Sequence, residues 1–236
     1  MKTEGSYPFH IAALPKSGST WLKSLLTEVT GWPSYTPSDP EGKLKEHDLP
    51  TNLSDMPANR EFVMKLHTRC TRENLRIIQK NDFKTLILQR NLRDQCVSNY
   101  FHVLADKSHR HHILYQELDK DTALIHRTTI TLEEYSKWIR DWKLQLAKDS
   151  SKFHLISYEE LKGNPASTLI EIIDFFGVSF PRDCISKAIE NVAGRTEFNL
   201  KKNFRLNKGT ARKGIVGDWR NHFKPIHTSI FETLGH

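Results

Sequence analysis

The sequence predicts an α/β fold: a single domain over residues 1–236 built on a doubly wound, mainly parallel sheet with a phosphate-binding loop. Short apolar runs recur along the chain, and each is followed by apolar residues at helical spacing. The first run enters its helix through a glycine-containing turn rich in hydroxyl groups. Strands that alternate with helices form parallel sheets covered on both faces, and 236 residues suit one large domain of this kind.

Phe9 to Leu14 forms the first apolar run, ended by Pro15, and beyond Gly18 the residues Trp21, Leu22, Leu25 and Leu26 mark a helix. The same grammar returns at Glu61 to His67, followed by TRENLRIIQK, and at Lys84 to Arg90, followed by LRDQCVSNYFHVL. Phe153 to Ser157 supplies a fourth strand. After Pro165, Leu169, Ile170, Ile173, Phe175 and Phe176 resume a helical pattern that ends near Gly177. Two segments interrupt the alternation, Gly31 to Arg60 and Ser108 to Thr131, and both read as irregular insertions of the kind that form lids or loops.

Composition narrows the function classes. Hydrophobic residues make up 37% of the chain and charged residues 27%, which fits a soluble globular protein. The short apolar run near the N-terminus is neither a secretory signal nor a membrane span. Three widely separated cysteines suggest neither a disulfide framework nor a metal knuckle, so a reducing cytoplasm is the simplest setting. The net charge of +7 favours anionic ligands, yet it is too dispersed to mark a nucleic-acid binder.

In LPKSGSTWL, Leu14 to Leu22, backbone amides converge at a helix N-terminus, where unpaired N–H groups and the helix dipole favour phosphate. Lys16 adds a cation, Ser17, Ser19 and Thr20 add hydroxyl donors, and Gly18 allows the tight turn. The lysine precedes the only glycine, so this is not the G-x-x-x-x-G-K-[ST] loop of nucleotide triphosphatases. Taken alone, the segment could also be an ordinary strand-to-helix turn.

Three segments in order resemble the cytosolic sulfotransferases, which use 3′-phosphoadenosine 5′-phosphosulfate (PAPS). PKSGSTW is similar to that family's phosphosulfate loop PKSGTTW, with Ser19 at the first threonine. QRNLRDQCVSNYF is similar to its 3′-phosphate strand and helix, with Arg90 and Ser98 at the matching separation. RKGIVGDWRNHF resembles its RKGxxGDWKxxF signature. The resemblance covers roughly Phe9 to Phe223. It implies a sulfotransferase fold akin to the P-loop NTPases, with PAPS as cosubstrate, no metal, and adenosine 3′,5′-bisphosphate (PAP) as product.

The two anionic ends of PAPS need two cationic clusters, Lys16 at the phosphosulfate and Arg90, Arg212 and Lys213 with Gly214 at the 3′-phosphate. Trp21 is the flat partner for adenine. The resemblance puts Phe198 on the other face, with Thr196 and Tyr158 offering hydrogen bonds. Lys65-Leu66-His67 ends a predicted strand, and residues two apart share a strand face. The triplet is similar to the family's K-T-H, which implies His67 as general base and Lys65 as electrostatic stabiliser. Lys16 would neutralise the leaving oxygen, and Ser98 would hold the 3′-phosphate and restrain Lys16.

His109, His111 and His112 in SHRHH tempt a metal reading, but no well-spaced cysteine accompanies them and an exposed basic loop explains them. Asp48, Asp55, Glu117, Asp119 and Asp121 read as solvated surface, with a cationic acceptor as the alternative. The family's usual dimer motif before RKG is not seen in FRLNKGTA, which leaves the oligomeric state open. The predicted partner is a small-molecule acceptor, with neither nucleic acid nor membrane, and the short chain suggests specialised metabolism. The rival readings are a small-molecule kinase, disfavoured by the loop order, and a basic nucleic-acid-binding module, which lacks its expected motifs.

Overall fold

The computed structural model of the chain describes residues 7–38, 47–51, 53, 55–206 and 214–233, with the backbone alone over 196–206. Its strands are β1 (Phe9–Ala13), β2 (Ser34–Tyr35), β3 (Val63–Leu66), β4 (Thr85–Gln89) and β5 (Phe153–Ser157). Its helices are α1 (Ser19–Thr30), α2 (Arg72–Lys80), α3 (Leu92–Ala105), α4 (His112–Glu117), α5 (Lys120–Lys148), α6 (Tyr158–Gly163), α7 (Pro165–Phe176), α8 (Arg182–Leu206) and α9 (Pro225–Thr233), with a 3-10 turn at Asp218–Asn221. The chain divides into two compact units, Met1–Gln89 with Arg140–Ala193, and Arg90–Ile139 with Gly194–His236.

The first unit holds the whole sheet, which is parallel throughout and ordered β2-β3-β1-β4-β5. Every residue of β1 is buried, as befits a central strand covered on both faces. On one face Phe9, Ile11 and Ala13 join a cluster with Leu22, Leu25 and Leu26 of α1 and with Leu169, Ile172 and Phe176 of α7. The other face carries a polar lock. His10 is fully buried, and its two ring nitrogens meet Thr85 Oγ1 at 2.9 Å and Thr68 Oγ1 at 3.2 Å. Trp142 Nε1 donates to the Thr68 carbonyl at 3.2 Å.

Local signals account for the helix ends. In α7 the Asn164 side chain caps Ser167 N, Pro165 occupies the first turn, and Gly177 closes the helix in the left-handed region at φ 73°. In α6 Ser157 and Glu160 form a reciprocal capping box. The four strands read from the sequence are all present. β2 adds a fifth, inside the segment expected to be irregular, and two residues are too few to show a period.

In the second unit Asn91 caps α3 by accepting from the amides of Arg93 and Asp94. The segment Ser108 to Thr131, expected to be irregular, is mainly helical. Along the first half of α5 the buried positions Ala123, Leu124, Arg127, Thr128, Thr131 and Leu132 follow helical spacing. Half of them are polar, which hid the period. SHRHH is likewise no exposed loop throughout, because His112 opens α4 at 7% exposure and its Nδ1 donates to the Val103 carbonyl at 3.0 Å.

Candidate active site

The loop between β1 and α1 takes its shape from two left-handed residues, Lys16 at φ 64° and Gly18 at φ 84°. Alternating handedness turns successive amides toward one concavity, a geometry that suits an anion. Ser17 is fully buried, and both its amide (3.3 Å) and its hydroxyl (2.6 Å) donate to the Leu14 carbonyl. The Ser17 side chain therefore braces the loop. Leu14 N donates to Leu88 O at 3.1 Å and so ties the loop's start to β4. Gly18 caps α1 without a side chain, and the first turn of α1 holds no acidic residue. Ser19 is buried there and Thr20 is exposed.

Tyr158, at the start of α6, packs its ring against Gly18. A β-carbon on Gly18 would lie 2.5 Å from Tyr158 Cδ2, so close approach and positive φ both demand glycine. Trp21 meets Tyr158 edge-on with centroids 6.2 Å apart, and Lys162 Nζ lies 5.5 Å from the Trp21 ring centre. The loop residues, an aromatic pair and a cation thus converge in the first unit. A glycine cradle at a helix N-terminus with no acidic residue in its first turn suits an anionic group.

Lys65 lies on β3 in register with Ile11, and His67 follows directly after the strand. Because β3 pairs with β1, His67 reaches the end of β1, and its Nδ1 donates to Ala13 O at 2.8 Å. A carbonyl only accepts, so Nδ1 carries the hydrogen and the neutral ring has its lone pair on Nε2. A second imidazole stands beside it. The His47 ring lies 6.2 Å from the His67 ring, and its Nδ1 donates to the His67 carbonyl at 3.2 Å. Buried Asn74 holds that segment in place. Its Oδ1 accepts from Leu49 N at 2.9 Å, and its Nδ2 donates to the carbonyls of Arg69 (2.8 Å) and His47 (3.2 Å).

In the second unit Arg90 is 8% exposed and donates through Nη2 to Ile215 O at 3.1 Å. Ser98 lies on α3, partly exposed. Asp94, 2% exposed, accepts from Gly217 N through Oδ2 (2.6 Å) and from Trp219 N through Oδ1 (2.9 Å). Gly214 is exposed at φ 64°. Arg212 and Lys213, and the side chains of Thr196 and Phe198, lie outside the described residues.

A family model described as a sulfotransferase domain matches residues 8–234. The chain belongs to the sulfotransferase family. It is 24% identical over 251 residues to sulfotransferase 1E1 of Rattus norvegicus, an alignment covering 94% of this chain and 80% of that protein. Cytosolic sulfotransferase 3 of Arabidopsis thaliana is 27% identical over 244 residues, covering 91% of this chain and 71% of that one. Among solved structures, mouse sulfotransferase SULT7A1 complexed with PAP shares the fold. Its TM-score is 0.66 at 18% identity, covering 97% of this chain and 82% of that one.

Most acidic residues once open to a cationic acceptor are already engaged in this sulfotransferase. Asp48 pairs with Arg69 at 2.9 Å, Asp55 accepts from Tyr35 and Ser38, Asp119 caps the start of α5, and Asp121 meets Lys224. Among the described residues, no three His, Cys, Asp or Glu side chains converge in a way that could hold a metal ion. No helix among them is long and apolar enough to cross a membrane. His47 and Asp94 escaped the sequence reading. A histidine in a polar segment and an acidic residue in a helix's first turn are both ordinary, and only the fold reveals what each one binds.

Proposed function

We propose that this sulfotransferase moves a sulfuryl group from PAPS to a hydroxyl or amine of a small-molecule acceptor, with His67 as the general base. The observation that carries this reading is the hydrogen bond from His67 Nδ1 to Ala13 O, at the strand end that leads into the phosphate loop. It leaves the basic lone pair on Nε2, the nitrogen that would take the acceptor's proton.

PAPS supplies an activated sulfuryl group and a stable leaving group, PAP. The chain's own residues then divide the work. Lys16 and the amides of Gly18, Ser19 and Thr20 hold the phosphosulfate, and Lys16 offsets the charge that grows on the bridging oxygen as the acceptor bond forms. Lys65 stabilises the transferred group. Arg90, Ser98, Arg212, Lys213 and Gly214 serve the 3′-phosphate, while Trp21, Tyr158, Thr196 and Phe198 serve the adenine. The family match runs through both units, which supports one sulfotransferase domain over 1–236. The name of the Arabidopsis relative supports a cytoplasmic setting.

The test is transfer of labelled sulfate from PAPS to a panel of phenols, alcohols and amines, with calorimetry of PAP binding in parallel. His67→Ala should abolish transfer and leave PAP affinity nearly unchanged. Equal loss of both would make His67 a structural residue.

A further inference from the structure

Residues 214–219 are held chiefly through their backbone. Ile215 and Val216 are 48% and 47% exposed, so burial of their side chains does not set the path of the chain. Backbone hydrogen bonds to the start of α3 set it instead. Arg90 Nη2 donates to Ile215 O, and the two oxygens of Asp94 accept separately from the amides of Gly217 and Trp219. A carboxylate that accepts from two amides in a buried setting forms strong, directional bonds. Gly217 adds specificity, because its φ of 81° lies in the left-handed region that other residues rarely adopt.

Asp94 also occupies a telling place in the chain. Ser98 lies four residues further along α3, one helical turn away on the same face, and Arg90 lies four residues before it. Two residues assigned to the 3′-phosphate thus flank Asp94 in the chain, and the segment that Asp94 anchors begins at a third, Gly214.

We propose that Asp94 is a positioning residue for 3′-phosphate recognition. By fixing the amides of Gly217 and Trp219, it sets the path of the segment that begins at Gly214 and meets Arg90, and so gives the enzyme its preference for nucleotides that carry a 3′-phosphate. This rests on the reading of Arg90, Ser98 and Gly214 as 3′-phosphate ligands.

Asp94→Asn keeps the side chain's size but replaces one acceptor oxygen by an NH2 group, which faces a peptide N–H and cannot bond to it. Calorimetry on the full chain with PAP and with adenosine 5′-phosphate, which lacks the 3′-phosphate, separates the possibilities. The variant should bind PAP about tenfold more weakly and adenosine 5′-phosphate within about twofold of the unaltered enzyme. The KM for PAPS should rise while the KM for the acceptor stays. Equal losses for both nucleotides, or no loss for either, would overturn the role of Asp94. An unaltered enzyme with no preference for PAP would instead overturn the assignment of the 3′-phosphate residues. Should Asp94→Asn fail to fold, hydrogen exchange on the unaltered chain takes its place. The Gly217 and Trp219 amides should be slowed more by PAP than by saturating adenosine 5′-phosphate, and equal slowing would sink the proposal.

Discussion

Tyr158 closes over Gly18 so tightly that a β-carbon at position 18 would meet the Tyr158 ring edge at 2.5 Å. The contact joins the start of α6 to the cap of α1 and fixes the loop between β1 and α1. Gly18→Ala should therefore cost stability, about 1–3 kcal/mol for a non-glycine residue held at positive φ, with the clash added to it. It should also weaken PAP binding. Chemical denaturation and calorimetry would check both, and a variant as stable and as tight as the parent would remove the constraint.

Lys16 holds a left-handed conformation that lysine seldom adopts, at φ 64°. Strain of this kind persists where the surrounding structure enforces it. Lys16→Ala keeps the backbone demand and removes the charge. Both turnover and PAP affinity should fall, the latter by about tenfold or more, as expected for loss of a charge-assisted contact. A variant with unchanged turnover and affinity would take Lys16 out of the site.

His10 links folding to pH. Burial at the centre of the sheet pushes its pKa from 6.5 down to about 3. The folded state keeps the ring neutral, whereas the unfolded chain takes up a proton as pH drops below 6.5. The stability that His10 contributes is present above that value and is lost progressively as pH falls toward 3. This one group should give a slope of about 1.4 kcal/mol per pH unit in that window. Urea unfolding of the parent and of His10→Gln between pH 7.5 and 4.5 would test this. Parallel curves for the two proteins would contradict it.

Much of the scaffold was legible because its signals are local. Pro165 and Gly177 bracket α7, and the apolar runs at Phe9, Val63, Thr85 and Phe153 became the four longer strands of the sheet. Legibility failed where the buried stripe is polar. In α5 Arg127, Thr128 and Thr131 stand where aliphatic residues would have shown the period. It failed again in the loop between β1 and α1, where Ser17 offers a hydroxyl in sequence but turns it back onto Leu14 O. Nothing in the local sequence states which partner a hydroxyl will find.

The sequence by itself determined the alternation of strand and helix, the loop between Leu14 and Leu22, the Lys65–His67 spacing and the order of the motifs. These depend on periodicity, backbone preference and residue type within a few positions. Strand order belongs to tertiary structure alone. Only the placement of β1 between β3 and β4 brings His67 to a carbonyl 54 residues earlier in the chain and ties Leu14 to Leu88. The same holds for Asp94, whose partners lie more than a hundred residues further on. The physical reason is that backbone amides and carbonyls are alike in every residue, so the sequence marks where they are and packing decides which ones meet.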